Sequence, residues 1–196
     1  MNILVIKSSV FGDNGNSSSL VNSQLAALQA QHPDATVVVR DLSTDPIPHL
    51  DGERVGAFFT PADQRSDDQQ AVDAFSMALI DELKTADHIV LVLPMYNFGI
   101  PSQLKSWIDH VARAGITFRY TENGPQGLLD DKPVTVLAAR GGLYAGTEND
   151  TVTPYIKLFF GFIGMTDVNF VYAEGLNMGD ETKEKAMSEA QAALAG

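Results

Sequence analysis

The chain contains no cysteine. That excludes disulfides, iron–sulfur clusters held by thiolates and a cysteine nucleophile. It suits a reducing interior, so the cytoplasm is the expected location. Basic residues are scarce: thirteen Lys and Arg stand against twenty-five Asp and Glu, a formal charge of −12. Such a field opposes non-specific binding to nucleic acid or anionic lipid, and neither a nucleic-acid partner nor a membrane is expected. An anionic ligand would have to be held by local dipoles and a few placed groups. No apolar run reaches the ~20 residues of a membrane span. Met1-Asn2-Ile3-Leu4-Val5-Ile6 lacks a basic region and a small-residue cleavage site and reads as a first strand, not a signal peptide. The carboxylates lack metal-ligand clustering and read as solvated surface, so no metal is expected. The four histidines, His32, His49, His88 and His110, fall at a helix end, in a loop, at a strand start and in a helix. Each reads as structural or solvated.

What is present is a regular alternation. Residues 2–8 form a strand, about 17–31 a helix with Val21, Leu25 and Leu28 on one face, and 36–40 a second strand. His32-Pro33-Asp34 stops the first helix. Residues 42–65, with Pro46, Pro48 and Pro61, read as an irregular insert. A helix over about 67–86 places Val72, Phe75, Leu79 and Leu83 on one face. The apolar run 88–93 is a buried third strand, and 101–113 is a helix with a Leu104, Trp107, Ile108, Val111 stripe. Strands at 133–138 and 167–172 flank a helix at about 152–163, and a last helix covers about 180–195. Five alternations give an α/β protein with helices on both faces of a parallel sheet. The doubly wound, flavodoxin-like five-stranded order 2-1-3-4-5 fits better than a six-stranded dinucleotide fold. No boundary divides the chain, so residues 1–196 are expected to form a single domain.

In that order three loops meet at the carboxyl edge of the sheet. The first follows Lys7-Ser8-Ser9 and carries Asn14, Asn16, Ser17, Ser18 and Ser19 into a helix start. Helix-start amides and hydroxyls suit a phosphate monoester; an ordinary Ser/Asn cap is the simpler alternative. The second, Pro94-Met95-Tyr96-Asn97-Phe98-Gly99-Ile100-Pro101, offers Asn97 and Gly99 to turn the backbone and Tyr96 and Phe98 to lie against a planar ligand. The third, Ala139-Arg140-Gly141-Gly142-Leu143-Tyr144, has two glycines that permit close backbone approach. Their coincidence around the switch point marks a ligand site.

The chain resembles the FMN-dependent NADH azoreductases of the flavodoxin-like fold, which also act as quinone reductases. The matching segments are Lys7-Ser8-Ser9, Pro94 to Phe98, Val111 to Gly115, Thr117-Phe118-Arg119-Tyr120-Thr121-Glu122-Asn123-Gly124-Pro125, Arg140-Gly141-Gly142 and Phe160-Gly161-Phe162-Ile163-Gly164. The resemblance implies that Ser9, Asn16 and Ser17 bind the FMN phosphate. It implies that Met95, Tyr96, Asn97 and Phe98, with Ala139, Arg140, Gly141 and Gly142, hold the isoalloxazine. Tyr144 stands where relatives can carry histidine.

By the same resemblance NADH or NADPH is the electron donor and a quinone or aromatic azo compound the acceptor. The two take turns in one apolar slot, in a ping-pong cycle. Flavin N5 carries the hydride, and no side chain is assigned as catalytic acid or base. Backbone amides of Gly141 and Gly142 are candidate stabilisers of charge near flavin N1 and O2. Tyr120 is expected to wall the substrate pocket with Tyr144, although Asn123-Gly124-Pro125 also reads as a plain surface hairpin. The run Leu158 to Met165 is apolar around most of a helix, which a homodimer interface would cover. Phe162 would then reach the partner's pocket, giving shared active sites. The rival readings are a flavodoxin-type electron carrier and a non-catalytic flavin or nucleotide sensor. The inserts at 42–65 and 114–130 argue against a small carrier.

Overall fold

In a computed structural model, which describes residues 1–12 and 15–195, the elements follow the alternation with two additions. They run β1 (Asn2–Lys7), α1 (Ser17–Gln31), β2 (Thr36–Asp41), α2 (Gly52–Phe59), α3 (Asp67–Thr85), β3 (His88–Pro94), α4 (Ser102–Val111), β4 (Phe118–Thr121), β5 (Gly124–Gly127), β6 (Val134–Ala139), α5 (Val152–Ile163), β7 (Val168–Ala173) and α6 (Asp180–Ala195). The main sheet is five-stranded, in the order β2-β1-β3-β6-β7, and every pairing in it is parallel. Because β4 and β5 form a separate antiparallel hairpin, this is the expected order 2-1-3-4-5.

The strand positions follow from their residues. β3 is buried along its whole length, as a continuous apolar strand between two neighbours must be. β2 carries its valines at the sheet edge, where Val39 is 52% exposed. One core lies between the sheet and α3, α4 and α5, centred on Leu79, Leu83, Leu91, Trp107 and Phe160. The other lies under α1 and α6, around Leu20, Val90, Leu137 and Leu194.

Two sequence expectations fail here. The insert 42–65 is not wholly irregular: α2 occupies 52–59 and a single 3-10 turn occupies 62–64. Asp51 caps α2 by accepting the Arg54 amide. The helix is too short to display a period, and two glycines lower its propensity. Tertiary contact supplies what propensity lacks: Arg113 lies 3.7 Å over the Phe58 ring while bonding Asp73 and Ser76 of α3. The buried face of α3 is also rotated from the expected one. It is Ser76, Leu79, Ile80 and Leu83, and Phe75 stays part-exposed, its ring edge-on to His110.

Candidate functional site

β1 and β3 are paired neighbours in the sheet, and the chain leaves their carboxyl ends for helices on opposite faces, α1 on one and α4 on the other, with the predicted loops at that opening. A cleft of about 190 Å³ is lined by Ser9, Phe11, Gly15, Asn16 and Ser17, by Pro94, Met95 and Tyr96, by Ala139, Arg140 and Gly141, and by Leu176 and Asn177. It shares Met95, Gly141 and Asn177 with an adjoining cleft of about 440 Å³ that adds Asn97, Phe98, Gly142 and Tyr144. Together they make one trough, from the start of α1 to the turn after β3. A larger hollow of about 550 Å³ lies at the opposite end of the sheet, between β2 and α3. Its lining is mostly apolar and collects none of the loop amides, so the trough is the candidate site.

At the α1 end the helix opens without a side-chain cap, since Asn16 makes no capping hydrogen bond, and its first turn has no acidic residue. First-turn amides have no intrahelical partner, so this end keeps donors and a positive dipole for an anion. The simple cap reading of Asn16 is therefore not what forms. Ser17 is buried, and Ser9 presents its hydroxyl to the Phe11 amide at 3.3 Å. A Cβ on Gly15 would sit 2.9 Å from Ser9 Oγ, so glycine lets the two limbs of the loop close up. Asn14 lies outside the described residues.

After β3 the chain makes a tight reversal. Tyr96 and Gly99 exchange backbone bonds of 3.0 Å each. The central residues carry the left-handed angles, Asn97 at φ +50° and Phe98 at φ +61°. That is the two-residue geometry of a primed turn. Gly99, expected to supply the turn, does not; Phe98 does, at a cost of about 1–2 kcal/mol for a side chain in this region. Thr151 Oγ1 donates to the Phe98 carbonyl and secures the turn from α5. The amides of Asn97 and Phe98 donate to no described residue, and so remain available.

The third loop is zipped to a segment the sequence reading passed over, 174–177. Leu176 N donates to Arg140 O at 3.1 Å and Asn177 N to Gly141 O at 3.0 Å. In a trans peptide the following N–H points opposite to the carbonyl, so the Gly141 and Gly142 amides are turned away from 174–177. Neither donates to a described residue. Arg140 lines the trough only with its backbone. Its guanidinium is fully buried, bonded to Asp150 at 2.9 Å, Thr153 at 2.8 Å and Glu174 at 3.1 Å. Burial pushes the Asp150 carboxyl up, but hydrogen bonds from Arg140 and Thr153 outweigh it and hold the group below its ordinary value.

Among the described residues the lining contains no carboxylate, and its one cation, Arg140, faces elsewhere. In a chain of charge −12 this trough meets a ligand with amides and hydroxyls. Phe98 and Tyr144 meet edge-on at 5.7 Å across its mouth. Phe11, Gly15, Pro94, Leu176 and Asn177 line it without having been anticipated. Applying the carboxyl-edge rule to the fifth parallel strand as well as to the others would have found the last two.

Tyr120 and Phe162 do not line the trough. Both pack on Phe118, at ring separations of 5.6 and 4.2 Å, where the β4–β5 hairpin docks on the end of α5. The plain hairpin reading holds for the backbone of 118–127, and Tyr120 is 75% exposed. Of the apolar run 158–165, Leu158 is 72% exposed, whereas Phe159, Phe160, Ile163 and Met165 are buried in this chain's own core.

A sequence-family model described as flavodoxin-like fold matches residues 1–196. Among curated proteins, the chain is 82% identical over 194 residues to an FMN-dependent NADH:quinone oxidoreductase of Alcanivorax borkumensis, covering 99% of this chain and 98% of that protein. It is 56% identical over 193 residues to FMN-dependent NADH:quinone oxidoreductase 6 of Burkholderia lata, covering 98% of each. Among solved structures, it superposes with a TM-score of 0.88 on an FMN-dependent NADH-azoreductase from Bacillus anthracis in complex with FMN, at 28% identity, covering 99% of this chain and 97% of the other.

Proposed function

The chain belongs to the flavodoxin-like fold family, and from that premise we propose that it is an FMN-dependent NADH:quinone oxidoreductase that also cleaves aromatic azo compounds. The activity named for its close relatives is carried over on identity across nearly the full chain. The observation that carries the reading is the trough itself: amide-lined, without a carboxylate among its described lining residues, and running from an uncapped helix start to two sets of backbone N–H groups that donate to no described residue.

The residues present suit FMN. Ser9, Asn16 and Ser17, with the first turn of α1, would hold the phosphate. Met95, Tyr96, Asn97 and Phe98 on one side, and Ala139, Arg140, Gly141 and Gly142 on the other, would hold the ring, with Asn177 closing the trough between the two ends. When bound, FMN supplies the two-electron redox chemistry. The chain's own task is placement and electrostatics. The Gly141 and Gly142 amides would stabilise negative charge on the side of a bound ring that they face, without reorganising. The Asn97 and Phe98 amides would do the same from the opposite wall. Tyr144 adds a phenol beside Gly142, whose missing Cβ would lie 2.9 Å from that ring. The Phe98–Tyr144 contact limits water at the mouth and offers aromatic faces to a flat substrate.

We read the kinetic order as ping-pong: NADH or NADPH would give up its hydride to the flavin and depart as NAD+ or NADP+ before the quinone or azo acceptor enters, because a single mouth serves both. Residues 1–196 act as one domain, in the cytoplasm that supplies the nucleotide. The active unit is a homodimer in which Tyr120 and Phe162 complete the partner's site. What supports this is their separation from their own trough and the exposed Leu158 beside Phe162. Anaerobic stopped-flow tests the activity. NADH should bleach the protein-bound flavin absorbance within the mixing experiment, and added quinone should restore it. If neither nucleotide bleaches it, the electron-carrier reading replaces this one.

A further inference from the structure

The carboxylate of Glu174 takes no place in the trough lining, yet it organises one wall of it. Its Oε1 accepts the backbone amides of Tyr144 and Ala145, each at 2.9 Å, and Arg140 Nη1 at 3.1 Å. Three donors on one mostly buried carboxylate oxygen make a charge-assisted anchor, stronger than bonds between neutral groups. We propose that Glu174 is a positioning residue for the cofactor: it fixes the 141–146 loop so that the Gly141 and Gly142 amides stay directed onto the ring site, and it sets the charge behind them. The assignment rests on the FMN reading above.

The geometry divides the loop into two limbs. The near limb is held by backbone bonds to 175–177: Gly175 N reaches Gly142 O at 3.0 Å and Asn177 N reaches Gly141 O at 3.0 Å. The far limb, after Leu143, makes one backbone bond within itself, Thr147 N to Tyr144 O. Among the described residues, Glu174 alone joins it to the body of the sheet through backbone donors. Without that oxygen the Tyr144 and Ala145 amides lose their partner, and the loop relaxes towards water. The Tyr144 ring now folded over Gly142 moves with it. Preorganisation of the glycine amides, on which their value to a bound anion depends, is lost.

The second consequence is electrostatic. Arg140 lies between Asp150 and Glu174, so one cation faces two carboxylates behind the loop. The cluster therefore carries one net negative charge. A negative charge close to a redox group opposes adding electrons to it, so Glu174 holds the bound flavin at a lower potential than a neutral residue would.

The test compares the wild-type protein, Glu174→Ala and Glu174→Gln. Glutamine keeps an acceptor oxygen for the loop amides and removes the charge; alanine removes both. FMN titration should show an affinity loss of about tenfold or more for the alanine variant, with glutamine within about threefold of wild type; tenfold is about 1.4 kcal/mol. The midpoint potential of the bound flavin should be more positive in the glutamine variant, a readout that a purely structural role would not move. Amide hydrogen exchange on the flavin-free protein gives a third arm. Tyr144 and Ala145 should exchange faster in the alanine variant, while Gly175 and Asn177 keep their protection. If the alanine variant does not fold, the glutamine variant's potential decides. Wild-type protein that takes up no FMN overturns the functional reading and this assignment together. Wild-type protein that binds FMN, beside a folded alanine variant of equal affinity or a glutamine variant of equal potential, overturns this assignment alone.

Discussion

His110 is the most deeply buried titratable ring of the chain, and its Nε2 has no hydrogen-bond partner among the described residues. Its Nδ1 bonds Ser106 O at 2.9 Å, and the Phe58 and Phe75 rings stand edge-on to it. Burial pushes its pKa below the ordinary 6.5, and burial does the same to His88, against a smaller opposing effect of Asp167. The sign follows from linkage. Below pH 6.5 the unfolded chain takes up protons that the native rings refuse, so stability is full above that pH and declines as pH falls towards the folded values. Thermal melts between pH 7.5 and 5.5 should show Tm falling, and His110→Phe should flatten that decline while His88 keeps its share. An unchanged slope in the variant would show that His110 is not a contributor. The same residue scale explains why the sequence reading gave the turn to Gly99 in place of Phe98: an aromatic at φ +61° breaks the local rule that assigns such angles to glycine. Strain of this kind gathers at binding sites and is sustained by neighbours, here Thr151 and the Tyr96–Gly99 bonds.

At the scale of elements, two attachments hold the frame on which the loops stand. Lys132 reaches across to the carboxyl end of α3 and donates to the carbonyls of Leu83, Lys84 and Ala86 at 3.0, 3.2 and 2.5 Å. It satisfies carbonyls that a helix end leaves open and complements the helix dipole. Lys132→Met keeps the length and removes the donors. A loss of about 1–2 kcal/mol is expected, seen as a Tm lower by roughly 3–6 °C; no change in Tm would assign those carbonyls to water. The hairpin is attached through glycines. Gly164 ends α5 at φ +114°, and a Cβ there would lie 2.4 Å from Leu129 O; a Cβ on Gly127 would lie 2.2 Å from Gly164 N. Leu129 N bonds Ile163 O at 3.0 Å across the same contact. Gly164→Ala combines a forbidden angle with a backbone clash and should cost about 3 kcal/mol or more, read as a lower urea midpoint at constant m. Tyr120 should lose protection from proteolysis together with it, since its strand rides on this joint.

For the whole molecule the decisive question is how many chains make one site. Phe118, Tyr120 and Phe162 form an aromatic group apart from their own trough, with Leu158 open beside it. Equilibrium sedimentation should give a dimer at assay concentration, and a monomer would remove the shared-site reading. Phe162→Ala should lower kcat/KM for quinones by about tenfold, around 1.4 kcal/mol of transition-state stabilisation, while leaving FMN affinity within about twofold. Equal loss in both would place Phe162 against the cofactor instead. The charge of −12 acts at this scale too: it repels the anionic donor nucleotide, so the association rate should rise with salt until the field is screened.

Periodicity and composition by themselves determined the architecture. A short apolar run rich in β-branched residues between turn signals reads as a central strand, a strand–helix alternation reads as a parallel sheet, and the parallel order then places three polar loops at one edge. The loops that line the trough were legible for that reason, and the Thr117–Pro125 and Phe160–Gly164 motifs carried the family resemblance. Tertiary structure alone decided the remainder, because each point depends on partners distant in sequence. Asn97 and Phe98, not Gly99, take the left-handed turn because Thr151 and the reciprocal bonds hold them there. Arg140 withdraws from the trough because Asp150, Thr153 and Glu174 compensate its burial. The short helix α2 exists because Arg113 and Phe58 meet. No local pattern announces contacts of this kind, since their energy belongs to pairs that only folding brings within reach.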